Sequence, residues 1–233
     1  MEVAVKREIQ KVKIDFNKAH ITYQNANGQP IVGVTTALGL LDKPALIFWA
    51  YNKGKAGENL YEKGESANIG TVIHERIKAF FLGYEIDNYN ISPEVWDLST
   101  NSLSSFFSFT KGKKIEPILI ESALISEKYQ YGGTLDFYGR IDDILELWDH
   151  KTGSGIYDTH IYQLVALSNL LIENGYDPPQ RLRPINIPKS SDDSFDAPDL
   201  NASEREDEFQ IFLNLKDIYY LQKKLKLKRK GKV

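Results

Sequence analysis

The stretch Gly132–Lys151, GGTLDFYGRIDDILELWDHK, decides how this chain is read. It divides into two strand-forming runs, Thr134 to about Arg140 and about Ile144 to Lys151, rich in aliphatic and aromatic residues. Asp142-Asp143 between them supplies turn chemistry, so the segment is predicted to be a β-hairpin. Side chains alternate along a strand, which places Asp149 and Lys151 on one face and points His150 the other way. Asp136 on the neighbouring strand reaches the face of Asp149. Two carboxylates and an ammonium in one small volume are costly to desolvate, and at the end of a sheet they suit a hard divalent cation. A lone D-x-K in a strand is more often a surface feature of an ordinary hairpin, so its weight depends on its surroundings.

Downstream, Thr152-Gly153-Ser154-Gly155 reads as a loop, and Asp158 or Thr159 caps a helix, HIYQLVALSNLLIENG, that ends at Gly175. Gln163 lies in its first turns. RPINIP, Arg183 to Pro188, reads as a strand. Residues 189–208 form an acidic segment, with eight carboxylates from Asp192 to Glu208 against one Arg205, and are predicted to be a solvated loop. FQIFLNL is predicted to be the last strand and DIYYLQKKLKLK a closing helix. The end from Lys223 to Lys232 carries seven of the 29 Lys and Arg residues. It is either a solvated end or a phosphate-binding arm, in which Lys223, Lys224, Lys228 and Arg229 are the candidate contacts.

Upstream, Ile115 to Lys128 reads as a long strand, and Glu121 inside its apolar run calls for a partner or a metal. Ser92-Pro93 is a helix start, with Ser at the cap and Pro at the first helical position. Ala67 to Leu82, ANIGTVIHERIKAFFL, has apolar residues at helical spacing. Gly70 there allows a close backbone approach, and His74 lies one turn on. Pro44 opens a helix that runs to about Tyr61, whose Phe48, Trp49 and Tyr51 read as a core-packing face. Lys11 to Val34 is predicted to be a β-hairpin turning at Asn25–Pro30, NANGQP. Thr35-Thr36 then caps a short helix through Leu41. His20 and His160 receive no role.

The 233 residues are 42% hydrophobic and 12% aromatic, which supports a real core in one domain. A net charge of −3 gives no global attraction to nucleic acid, so any such binding must come from local basic patches. Without cysteine the chain has no disulfides, cysteine-ligated zinc, iron–sulfur cluster or thiol chemistry. No apolar run reaches the ~18 residues of a membrane span, and MEVAVKREIQ is not a secretory leader. The chain therefore reads as soluble and intracellular.

In order along the chain stand His74 in GTVIHE, Glu121 in LIES, Asp136 in GGTLDF, Asp149 and Lys151 in WDHKTG, and Gln163 in HIYQL, with 13 residues from Asp136 to Asp149. This series resembles the PD-(D/E)xK nuclease superfamily, in its RecB-like and phage-exonuclease branch, which includes relatives of the mitochondrial genome maintenance exonuclease. The resemblance spans about Val34 to Leu170. It implies an α/β, restriction-endonuclease-like fold with a central mixed β-sheet flanked by helices. It implies one domain: an N-terminal hairpin and helices over 1–66, a nuclease core over 67–188, the acidic loop over 189–208, and a C-terminal strand, helix and basic tail over 209–233.

By the same resemblance the activity is Mg²⁺- or Mn²⁺-dependent hydrolysis of DNA phosphodiesters, as an exonuclease of recombination, repair or replication. One or two ions are held by Asp136, Asp149, the backbone carbonyl of His150, His74 and Glu121. Lys151 positions or deprotonates the attacking water, and Gln163 orients Lys151 or a phosphate. The partners implied are single- or double-stranded DNA and a recombination or replication protein, in a cytoplasm that is cellular or that of a phage host. The alternative is a catalytically silent nuclease fold that binds DNA or protein. Two departures stand out: Leu135 replaces the Pro that names the superfamily, and Leu167 stands where relatives carry a Tyr after the Gln, a role Tyr162 can take instead.

Overall fold

The computed structural model describes residues 10–16, 21–41, 44–57, 65–189 and 194–231. In chain order the elements are β1 (Lys11–Lys13), β2 (Val32–Gly33), α1 (Val34–Leu38), α2 (Pro44–Lys55), α3 (Glu65–Leu82) and β3 (Glu85–Asp87). There follow α4 (Pro93–Thr110), β4 (Ile115–Ser126), β5 (Tyr131–Ile141), β6 (Ile144–Lys151), α5 (Asp158–Glu173), β7 (Arg181–Asn186), β8 (Leu200–Asn201) and α6 (Glu206–Arg229). A six-stranded mixed sheet runs β2-β5-β6-β7-β8, with β4 on the other edge of β5.

The hairpin of the opening stretch is its centre. Asp142 and Asp143 take φ of +49° and +69°, the left-handed pair that a two-residue turn needs to follow strand twist, and Asp tolerates that conformation better than most residues. Asp142 Oδ1 also accepts the Lys114 N–H at 2.9 Å, tying the turn to the start of β4. β6 and β7 run parallel, from Glu146↔Arg181 to Lys151↔Asn186. A parallel pair cannot be joined by a tight turn, and α5 makes the crossover.

Helices cover both faces. On one, α1, α5 and α6 bury Ala37, Leu164, Leu167, Leu170 and Phe212 against Leu135, Leu145 and Leu147. On the other, α3 and α4 bury Ile73, Ile77, Leu103 and Phe106 against Phe137, Trp148 and Ile185. With both faces covered, the six residues from Leu145 to His150 are all buried, which explains the nearly continuous apolar run of β6. Ser92 Oγ caps α4 by accepting the Val95 N–H, with Pro93 at the first helical position.

Several expectations are corrected. The N-terminal hairpin does not form: β1 pairs in parallel with β3, and β2 in parallel with β5. Only its turn survives, closed by a Gln24–Pro30 bridge with Asn25 Oδ1 accepting the N–H groups of Asn27 and Gln29. α1 begins at Val34 with Gly33 at its cap, ahead of Thr35-Thr36. FQIFLNL is not a strand but the first turns of α6. Its apolar side chains Phe209, Phe212, Leu213 and Leu215 recur at helical spacing, and Glu206, Asp207 and Glu208 sit at the helix N-terminus, where negative charge is favoured. The basic end is the last turns of that helix rather than a tail. The acidic segment is not merely solvated: β8 pairs with β7, and Phe195 packs on Phe109. Phe48 and Tyr51 of α2 do not pack inward but are exposed, at 66% and 64%. His20, the stretch of the α2 helix expected beyond residue 57, residues 190–193 and Lys232 lie outside the described residues. No helix among the described residues is long and apolar enough to cross a membrane.

Candidate metal centre

The site arises from a gap in hydrogen bonding. β4 pairs with β5 along one edge from Tyr131 to Ile141. The other edge of β5 is shared: β2 takes Tyr131 and Gly132, and β6 takes Phe137 to Ile141. Gly133 to Asp136 have no ladder partner on that edge, so β2 and β6 diverge around a notch.

At this notch the strand is irregular. Leu135 packs in the α5 core and Phe137 in the α3–α4 core, although residues two apart share a face in a regular strand. Asp136 lies between them. Opposite it in the β4–β5 register lies Glu121, whose φ of +46° departs from extended backbone. The Asp136 carboxylate therefore lies at the strand edge, where Oδ2 accepts the His150 backbone N–H at 2.6 Å. A residue's N–H and C=O point to the same side of an extended strand, so the His150 carbonyl faces the notch as well.

Two groups of side chains meet here. On the α5 side, Asp149, Lys151 and Gln163 form a closed ring of contacts. Lys151 Nζ donates to Gln163 Oε1 at 2.9 Å, and Gln163 Nε2 donates to Asp149 Oδ1 at 2.8 Å. Asp149 Oδ2 lies 2.6 Å from Lys151 Nζ, as an ion pair rather than an aligned hydrogen bond. On the α3 side, His74, Asp136 and His150 each offer a donor atom within 4.8 Å of the others, an arrangement that could hold a metal ion. His74 Nδ1 and His150 Nδ1 lie 3.9 and 3.6 Å from Asp136 Oδ2. Donors sharing a small cation stand ~3 Å apart, which small side-chain adjustments reach. His150 Nε2 is buried with no hydrogen-bond partner, so one nitrogen of the ring is left unsatisfied by protein atoms.

Burial sets the charge states. It pushes the Asp149 carboxyl up from the usual range, with Lys151 opposing and Asp136 adding to the rise. It holds the His150 imidazole down at about 4, against the pull of Asp136. His74 is also lowered by its surroundings, although 32% of its side-chain surface reaches solvent, with Asp136 again opposing. Both rings are therefore neutral near pH 7, the form that ligates metal.

Other carboxylates behave differently. Glu146, also buried on β6, is satisfied: Arg183 Nε and Nη2 reach its two oxygens at 2.9 and 3.2 Å, and Trp148 Nε1 donates at 2.6 Å. Glu121 stands across from Asp136 but outside the His74–Asp136–His150 group, as does Asp149. Its charge acts on Tyr84, whose hydroxyl is pushed up to about 12 by burial first, then by Glu75 and Glu121. At Gly70 the close neighbours are side chains rather than a backbone: a Cβ there would lie 2.7 Å from Thr152 Oγ1 and 3.4 Å from Lys189 Nζ. Tyr162 is half-buried against the α5–α6 core. Lys223, Lys224, Lys228 and Arg229 are exposed on α6, outside the His74–Asp136–His150 group.

The sequence reading placed the His150 ring away from the site, and this is corrected. Its ring joins the metal group because the irregularity at Asp136 lets one carboxylate serve both sides of β6. Glu75 and Tyr84 were not singled out at all. Glu75 follows His74 directly and pairs with Lys78 at 3.7 Å, which reads in sequence as a solvated helix face.

No family model matches this chain, and no curated protein does. Among solved structures it is similar to a protein from Eubacterium rectale described as a candidate exonuclease, at 10% identity and TM-score 0.45, over 78% of this chain and 73% of that one. It is also similar to SSO0001, at 13% identity and TM-score 0.34, over 77% of this chain and 87% of that one.

Proposed function

We propose that the protein is a divalent-metal-dependent DNA nuclease of the PD-(D/E)xK kind, acting as an exonuclease. The observation that carries this reading is the juxtaposition, at one notch in the sheet, of the His74–Asp136–His150 group and the Asp149–Lys151–Gln163 ring. A divalent cation held by the first group would neutralise the phosphodiester and make water a competent nucleophile. Lys151 supplies a positive donor that holds that water and stabilises charge developing on the phosphoryl oxygens. Gln163 and Asp149 fix the ammonium from two directions. The alternation of strand β6 places Lys151 and His150 on opposite faces, so the lysine and the metal group address the notch from either side.

Two imidazoles among three donors favour Mn²⁺ over Mg²⁺, because Mg²⁺ selects oxygen ligands. The test is digestion of end-labelled single- and double-stranded DNA with Mg²⁺, Mn²⁺ or EDTA, beside Lys151→Ala. Cleavage is expected with Mn²⁺ above Mg²⁺, absent in EDTA, and reduced on the order of 10³-fold by the substitution. DNA that binds but is not cut under any metal would replace this reading with a silent binding module.

A further inference from the structure

A cleft of about 560 Å³ opens beside the notch, lined by Tyr23, Thr134, Gln163, Tyr219 and Lys223 among others. It shares Gln163 with the lysine ring and Thr134 with the unpaired edge of β5, so it adjoins the proposed reaction centre on the Gln163 side. That volume suits a ligand of one or two nucleotides.

Its wall is built in an unusual way. Gly33 and Gly132 are register partners on β2 and β5. A Cβ on Gly132 would lie 2.4 Å from Tyr23 Cγ, and one on Gly33 would lie 3.1 Å from Tyr23 Cε2. The tyrosine ring thus lies across two glycines, on a bed that no other residue pair would leave flat. Its hydroxyl is fixed to Thr134 Oγ1 at 2.9 Å. Backed and anchored this way, the half-buried ring is a rigid platform at the cleft. Across from this bed, α6 contributes Tyr219 and, one turn on, Lys223. Continuing at helical spacing on the same face come Lys226 and Lys230, so a basic line leads away from the cleft for ~10 Å.

An aromatic platform beside a line of cations is what an unpaired nucleic-acid strand recognises. Bases stack on the ring, and phosphates meet the lysines. A duplex hides its base faces within its own stack and gains nothing from Tyr23. We propose that this cleft seats the single-stranded nucleotides adjoining the reacting phosphate, with bases on Tyr23 and Tyr219 and backbone along Lys223, Lys226 and Lys230. The inference rests on the nuclease reading only for what lies at the Gln163 end.

The test is anisotropy of a fluorescent twelve-residue oligothymidylate and of a twelve-base-pair duplex, titrated with the protein in EDTA, where no turnover occurs under either reading. The single strand is expected to bind more tightly than the duplex. Tyr23→Leu should weaken it about tenfold and Tyr23→Phe less than about twofold. Lys223→Ala with Lys226→Ala should lower the slope of log K against log salt by roughly 1.4. Tyr219→Leu, at a half-buried position of α6 that lines the cleft, decides the matter if Tyr23→Leu melts early. Unchanged binding in Tyr219→Leu and an unchanged salt slope in the lysine pair would overturn the proposal, as would a duplex bound as tightly as the strand. Cleavage without these binding effects would discard the cleft and keep the nuclease. The binding effects without metal-dependent cleavage would do the reverse.

Discussion

At the residue scale, the site is governed by what burial does to three ionisable groups. His150 is 3% exposed and its imidazole titrates at about 4, below the 6.5 of an unfolded chain. Between those values the unfolded chain binds the extra proton, so stability falls as the pH drops through that window. The contribution is on the order of 3 kcal/mol at most and is fully present above pH 6.5. Asp149 works in the opposite sense: its raised carboxyl takes up protons in the folded chain first, so its contribution is lost as the pH rises from the ordinary carboxylate value. The two overlap and partly offset each other. Replacing His150 by Gln should therefore unmask the Asp149 contribution, so that the urea midpoint shifts upward, relative to the unsubstituted protein, as the pH falls from 6.5 to 4. Because burial lowers both rings, His150 to about 4, stabilisation by Mn²⁺ should persist below pH 6.5 and fade near pH 4. Loss of the Mn²⁺ effect already at pH 6.5 would show that these imidazoles are not its ligands.

At the scale of elements, the sequence was legible where periodicity is regular and silent where it breaks. The hairpin, the α5 crossover and the Ser92-Pro93 start of α4 were readable because alternation, caps and turn residues all point one way. β6 could be placed to within a residue because its apolar run meets both cores. The His150 ring was misplaced because strand parity assumes an unbroken pleat, and the break at Asp136 is set by pairing with β4, 15 residues upstream at Glu121. α6 was split into strand and helix because Phe-Gln-Ile-Phe-Leu has strand propensity, whereas its burial pattern emerges only once the sheet exists to pack against. The same break yields a prediction. A non-glycine residue in the left-handed region costs about 1–2 kcal/mol, and Glu121 bears that cost across from Asp136. Glu121→Gly should raise the melting temperature by about 2–4 °C, which for a domain of this size is about 1 kcal/mol. If Glu121 supports the metal, the Mn²⁺-induced shift should shrink in the same variant. A lower melting temperature would mean that the carboxylate does more for the fold than its backbone costs.

At the scale of the whole molecule, a latch from α6 helps to fasten the cleft side of the fold. Tyr220 Oη accepts the Val32 N–H at 3.0 Å and donates to Gln130 O at 2.8 Å. One hydroxyl thus joins the C-terminal helix to β2 and to the turn before β5. β2 is only two residues long and holds β5 only at Tyr131 and Gly132, so it has little sheet pairing of its own to keep it in place. That latch keeps the N-terminal segment, with Tyr23 upon it, over the glycine bed. Removing the hydroxyl leaves a backbone donor and an acceptor to find water in a half-buried setting, a loss of about 1–2 kcal/mol. Tyr220→Phe should therefore lower the melting temperature by about 2–8 °C. The metal group is built from α3, β5 and β6, none of which depends on the latch. The Mn²⁺-induced shift should then be unchanged, while oligothymidylate binding weakens because Tyr23 is held less firmly, by its Thr134 bond and the Asn25–Gln130 bond without the latch. Calorimetry with and without Mn²⁺, run beside the anisotropy titration, separates the two. Equal loss of metal response and strand binding would mean that the notch and the cleft form one cooperative unit rather than two sites sharing Gln163.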